Sequence, residues 1–262
     1  MLLRHLKIIF VALTFFLSGS CRSSPALDDS DFSVILADAY IQLHLDYYFV
    51  SNGDSHRIGS YDAGGVCVQS LDSSSVILTV NHFCNGQDSA EVHDLMSRGL
   101  IWREGIAKSL SGQSSNVMKV IASSPENDLC LVQIKEFDCS PVQGIQDISV
   151  AHLFDPIINI GAPLAIFNAE PRSLLFRQVG TWSGYCNDTC NMPDTLMKPE
   201  NFIAHSIPTS LGQSGSPIFM GRNLFSIQVA NISSIDNFGI GACPIMISNF
   251  LDINGIDIQI LE

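Results

Sequence analysis

Positive charge is scarce in this chain. Thirteen Lys and Arg face 26 Asp and Glu over 262 residues, a formal net charge of −13 at neutral pH. Nucleic-acid binding normally leaves a basic footprint, so the balance argues against that class of partner. The acidity suits solubility outside the cytoplasm. Charged residues of both signs reach only 15%, against 46% hydrophobic. That composition excludes a disordered chain and supplies a sizeable core. No repeat or low-complexity tract interrupts the sequence, and regulation through an appended second domain is not expected. The eight cysteines include no C-x2-C pair of the kind that structural zinc sites use. His44, His56, His93, His152 and His205 lack partners at metal-ligand spacing, so neither a metal nor a cofactor is expected. The two tryptophans, Trp102 and Trp182, are expected in the core rather than as ligand platforms.

Long apolar runs are also rare. The longest, Ile8–Leu17, is too short for a comfortable membrane span. It follows the basic Arg4 and Lys7 and precedes the small residues Ser18, Gly19 and Ser20, which is the pattern of a signal peptide over residues 1–20. Export to a periplasmic or extracellular location is expected. Cys21, directly after the small residues, resembles a bacterial lipobox cysteine, although the aliphatic residue at Leu17 stands one place too early. Plain secretion and a lipid anchor at Cys21 therefore both stand as readings. Residues 21–34 are short and polar and read as a linker.

The cysteines stand at 21, 67, 84, 130, 139, 186, 190 and 243, a number suited to an oxidising compartment. Cys67 and Cys84 bracket one strand, and a bridge between them would pin the loop that follows it. Cys186 and Cys190 would staple a surface loop. If Cys21 is lipidated, seven remain and at least one thiol stays unpaired.

From residue 35 onward, short apolar runs alternate with clusters of Gly, Ser, Asn, Asp and Pro. AYIQLHLDYYFV, GGVCVQS, SSVILTVN, NVMKVIAS, DLCLVQI, APLAIFN, RQVGTWSG, NFIAHSI, SPIFM and NLFSIQVANIS all read as strands. Segment 87–110 is ambiguous and could hold a short helix, and the tail could close as a helix or a last strand. Many short strands at this spacing imply an all-β fold, a barrel or sandwich.

Three segments carry chemistry. In Leu211-Gly212-Gln213-Ser214-Gly215-Ser216-Pro217-Ile218 a serine stands between glycines that permit a tight turn. Such a turn exposes the hydroxyl and aims successive backbone N–H groups at one spot, as acyl transfer requires. Upstream, the β-rich run Val76–Val80 delivers His82, and Asp128 opens the alternating strand DLCLVQI. His, then Asp, then Ser is one of several chain orders in which the hydrolytic triad recurs. The absence of a strand–elbow–helix pattern makes an α/β-hydrolase esterase the weaker reading.

These segments resemble the chymotrypsin-like (trypsin-like) serine peptidases. TVNHFC is similar to the family's histidine motif, ENDLCLVQI to its aspartate strand, and GQSGSPIF to the serine motif of the V8-like glutamyl endopeptidases. GGVCVQSLDSSSVILTVNH resembles the glycine-led hairpin of bacterial trypsin-like peptidases. The resemblance spans about residues 60–235 and implies two six-stranded antiparallel β-barrels, about 35–140 and 141–258, with the active site between them. It implies Ser214 as nucleophile, His82 as general base and Asp128 as its orienter, with the N–H groups of Gly212 and Ser214 as oxyanion hole. As a base, His82 works only in its neutral form.

Departures from the family matter as well. Gln213 stands where trypsin has the aspartate that pairs with a newly cut N-terminus, so activation of that kind is not expected. Thr209 fits the threonine with which V8-like relatives contact an acidic or amide side chain on the acyl side of the scissile bond (P1). Gln228 stands where they carry a histidine, and Val229 and Ala230 continue that strand. An amide offers glutamate no positive charge, and Pro208 stands where trypsin carries its acidic pocket residue. An uncharged pocket is expected, taking protein or peptide substrates, with His205 as a further residue that could line it. The alternative function is a catalytically silent peptidase fold acting as an exported binding protein.

Overall fold

The computed structural model describes residues 36–85, 90–116, 118–162, 176–186, 197–231 and 238–261. The expected signal peptide, the linker and Cys21 lie outside them. Fifteen strands are present among these residues, in two sheets.

The first sheet runs β5-β4-β1-β2-β3-β7-β6. Its members are β1 (Tyr40–Ser51), β2 (Asp54–Leu71), β3 (Ser74–Val80), β4 (Ile101–Ser109), the two-residue β5 (Ser114–Ser115), β6 (Met118–Ser124) and β7 (Leu129–Lys135). All pairings in it are antiparallel. β1 and β2 form a long hairpin closed by Asn52 and Gly53, both at positive φ (54° and 88°), as a two-residue turn between right-twisted strands demands. The sheet rolls up: a Cβ added at Gly105 of β4 would lie 2.1 Å from Met118 of β6. The two edges thus meet through side chains, and no ladder joins them among the described residues. β3, SSVILTV, is buried along its whole length, Ser74, Ser75 and Thr79 included, because it lies between β2 and β7 at the centre of the sheet.

The second sheet runs β12-β9-β10-β11-β14-β13-β8-β15, and β12 also pairs with β13. The strands are β8 (Gly144–Gln146), β9 (Pro156–Gly161), β10 (Phe176–Tyr185), β11 (Phe202–His205), β12 (Pro217–Met220), β13 (Asn223–Asn231), β14 (Gly239–Ala242) and β15 (Gln259–Leu261). The β12–β13 pairing closes β9-β10-β11-β14-β13-β12 into a six-stranded antiparallel barrel, and a closed sheet has no exposed edge. Ile157, Trp182, Ile203, Ile207, Ile218 and Phe225 fill it. β8 and β15 add parallel pairings at its flank. The result is the mostly-β, two-barrel architecture of the chymotrypsin-like peptidases, with the first barrel closed by packing rather than by hydrogen bonds.

Several sequence readings need adjustment. Segment 87–110 holds both a helix, α2 (Ala90–Ser97), and a strand, β4. It follows the one-turn helix α1 (Asn81–Cys84). The tail holds helix α3 (Pro244–Ile253) as well as β15. A strand runs over Pro156–Gly161, and all but Ala162 of the strand expected at APLAIFN lies outside the described residues. Trp102 is not a core residue. It is 40% exposed on the outer face of β4, directly opposite Tyr48 of β1, whose ring it stacks on at 4.3 Å. The alternation of a strand decides this, since the neighbouring Ile101 takes the inward position. Trp182 does sit in the core, 5% exposed, edge-to-face with Phe225.

The Cys67–Cys84 bridge does not form. Cys67 pairs with Cys139 and Cys84 with Cys130. Cys67 lies on β2 and Cys84 beyond the end of β3, so the strand itself separates them. Cys186 is disulfide-bonded and Cys243 is a buried free thiol; Cys190 lies outside the described residues.

Candidate functional site

β3 ends at Val80, and the chain turns at once into α1. The first N–H groups of such a turn have no partner within it. Asp128 supplies one for two of them: its carbonyl accepts the Asn81 N–H at 3.0 Å, and its Oδ1 accepts the His82 N–H at 2.9 Å. The other carboxylate oxygen, Oδ2, lies 2.7 Å from Nδ1 of the His82 ring. Asp128 is fully buried, whereas the His82 side chain is 30% exposed. A buried carboxylate thus grips one histidine through both its backbone and its ring, which fixes the ring's orientation.

Asp128 reaches this position by an unusual backbone. It follows a 3-10 turn at Pro125–Asn127 and takes φ 50°, in the left-handed region that aspartate tolerates better than most residues. β7 then starts at Leu129. The Cys84–Cys130 bridge joins the residue two beyond His82 to the residue two beyond Asp128. A contact from the second barrel supports the same loop: Asn201 donates through Nδ2 to Oδ1 of Asn127 at 2.7 Å.

Ser214 stands on two consecutive four-residue turns. The Gln213 N–H donates to Ser210 O at 3.2 Å, and the Ser216 N–H donates to Gln213 O at 2.9 Å. The third residue of each is a glycine at positive φ, Gly212 at 85° and Gly215 at 78°, as type II turns require. Gly215 also meets the first barrel: a Cβ there would lie 2.2 Å from Gly64 O. The Gly64 N–H donates to Ser214 O at 2.7 Å, tying β2 to the serine turn. The N–H groups of Gly212 and Ser214 donate to no acceptor among the described residues. Gln213 is buried, its amide oxygen accepting the Ser210 N–H at 2.6 Å and its Nε2 donating to Gln178 at 2.6 Å. The loop is therefore pinned by neutral hydrogen bonds.

His82, Ser214, Gly212 and Ala230 line one cavity of about 400 Å³ between the barrels. Thr209, Gln228 and Val229 do not line it. Val229 faces the core, 2% exposed. Gln228 is buried beneath, donating to Ala230 O at 2.7 Å and Ile240 O at 3.2 Å. His205 is buried beside it, and a Cβ at Gly239 would meet both His205 and Thr209. Among the described residues, Nε2 of His205 and Oε1 of Gln228 make no well-aligned hydrogen bond. Burial pushes the His205 imidazole down to about 3, only partly offset by Gln228, so the ring is neutral. The sequence reading missed Tyr61, Asp62, Phe83, Ser210, Leu211 and Asn231, which complete the cavity wall. Leu211 and Phe83 adjoin motif residues and could have been found; Tyr61 and Asp62, far upstream on β2, carried no signal.

No curated protein matches this chain. A family model, the trypsin-like peptidase domain, matches residues 63–223, which begin beside Asp62 on β2 and end in the strands behind Ser214. More than half of the sequence is thereby covered, and with the two-barrel architecture around it the chain belongs to the trypsin-like peptidase domain family of chymotrypsin-like serine peptidases.

Proposed function

We propose that this chain is an exported serine endopeptidase that cleaves peptide bonds through an acyl-enzyme. The observation that carries the reading is the buried Asp128 carboxylate bound to both the backbone and the ring of His82, in a cavity that Ser214 also lines. Ser214 Oγ attacks the scissile carbonyl while Nε2 of His82 takes its proton. The carbonyl oxygen gains negative charge, and the two unengaged N–H groups of Gly212 and Ser214 stabilise it, each worth about 3 kcal/mol in comparable sites. His82 then returns the proton to the leaving amine, and water repeats the sequence on the acyl-enzyme. Asp128 holds the imidazole in the tautomer with its proton on Nδ1 and stabilises the imidazolium that forms. Neutral bonds hold Gln213, so the serine turn needs no new N-terminal charge to form.

The acyl side lies along β13, at Ala230. Beneath it, Thr209, Gln228 and neutral His205 offer no formal charge, so an uncharged P1 residue is preferred over glutamate, lysine or arginine. Export rests on the N-terminal pattern and on the disulfides, which persist in oxidising compartments.

A fluorophosphonate probe on the mature protein, read by mass spectrometry, tests the proposal. Labelling at Ser214 is expected, together with a fall in peptide hydrolysis of about a thousandfold or more in Ser214→Ala. A folded sample that takes no label would overturn the reading and favour a silent binding protein.

A further inference from the structure

Beyond Gly65 the two barrels leave part of β2 unclaimed. β2 pairs with β1 from Asp54 to Val66, but its pairing with β3 starts only at Val66. Among the described residues the stretch Asp54–Ala63 therefore has one open edge, and Tyr61 and Asp62 carry that stretch into the wall of the Ser214 cavity. Gly64 identifies which backbone groups face the opening, because its N–H leaves the hairpin to meet Ser214 O at 2.7 Å. Groups two apart on a strand point the same way. Asp62 thus also presents its N–H and C=O to the open edge, about 6.6 Å further along. That distance matches two residues of an extended chain.

The side chain of Asp62 is held in place. It faces His44, its cross-strand partner on β1, with Oδ1 at 2.7 Å from Nδ1. His44 is shared with Asp46, whose Oδ1 lies 3.1 Å from Nε2, and Asp46 also pairs with Arg57. Oδ2 of Asp62 takes no hydrogen bond among the described residues. Asp62 is the one carboxylate among the residues of the cavity wall. An oriented carboxylate with a free oxygen, 15% exposed at a cleft, is an acceptor built for a cation.

We propose that Asp62 makes this enzyme selective for substrates with lysine or arginine two residues beyond the scissile bond, on the leaving-group side. The substrate backbone adds to the open edge of β2, as peptides do at unpaired strand edges, and the basic side chain pairs with Oδ2. The acyl side belongs to β13 on the other barrel, so the β2 edge is left for the leaving group. This inference rests on the peptidase reading above.

A binding measurement separates the two. In the Ser214→Ala protein, fluorescence anisotropy compares peptides that differ only by lysine or glutamate at that position. The lysine peptide is expected to bind about tenfold tighter, a preference that Asp62→Asn removes and Asp62→Glu largely keeps. Equal binding of the two peptides, or a preference untouched by Asp62→Asn, would overturn the proposal. Fluorophosphonate labelling of the wild-type protein reports the catalytic reading separately. Label without preference refutes Asp62 alone; preference without label leaves Asp62 standing in a binding cleft.

Discussion

His205 is enclosed completely, and only Gln228 offsets the cost of charging its ring. In the unfolded chain a histidine takes up a proton near pH 6.5, whereas in the fold burial delays this to about 3. Between those values the unfolded state holds the extra proton, so stability rises with pH and is lost as pH falls through that window. The expected slope is about 1.4 kcal/mol per pH unit. Urea unfolding of His205→Gln at pH 7, 6 and 5 should lack this contribution to the slope, and a slope equal to the wild type's would refute it. His44 acts in the opposite sense. Its hydrogen bond to Asp62 raises its proton affinity above the ordinary value, against the cost of burial. Its stabilisation is present below the ordinary histidine range and fades as pH rises through the raised value. Of these two, the sequence marked only His205, because of its place before the serine turn. His44 required knowledge of which residue lies across the hairpin.

At the scale of elements, a crosslink holds α1 to β7. The Cys84–Cys130 bridge spans 46 residues and ties together the pieces that carry His82 and Asp128. A loop of that length limits the unfolded chain by about 4 kcal/mol on the chain-entropy account. The double variant Cys84→Ser/Cys130→Ser is expected to lose about 2–5 kcal/mol in urea titrations. Its activity should fall at temperatures where the wild type is unaffected. Retention of full stability would indicate that packing alone positions α1. The strand runs were legible because β-branched residues repeat along buried β3 and β7. The disulfide partners were not, because they depend on strand neighbours: β3 lies between β2 and β7, and Cys84 at its end meets Cys130 rather than Cys67.

For the whole molecule, the site exists only where two barrels meet. Gly64 of the first barrel bonds the serine turn, and Asn201 of the second bonds the loop before Asp128. Asn201→Ala removes the inter-barrel hydrogen bonds to Asn127 Oδ1 at 2.7 Å and Glu126 O at 3.5 Å, at a position only 9% exposed. A loss of about 1–2 kcal/mol is expected, with kcat reduced more than KM because Asp128, not the substrate surface, is loosened. A normal kcat in the folded variant would show that the loop before Asp128 is positioned without the second barrel.

The amino-acid order by itself determined the family, the all-β class and the three motif segments, since each depends on local chemistry. Glycines at positive φ make the serine turn, an apolar run delivers His82, and a left-handed aspartate opens β7. Only the tertiary structure decided how the first barrel closes, which cysteines pair, and that Gln228 and His205 lie beneath the cavity rather than in its wall. It also decided that Asp62 enters the cleft. These outcomes depend on strand register and on the approach of distant segments, and neither is written in any local stretch of sequence.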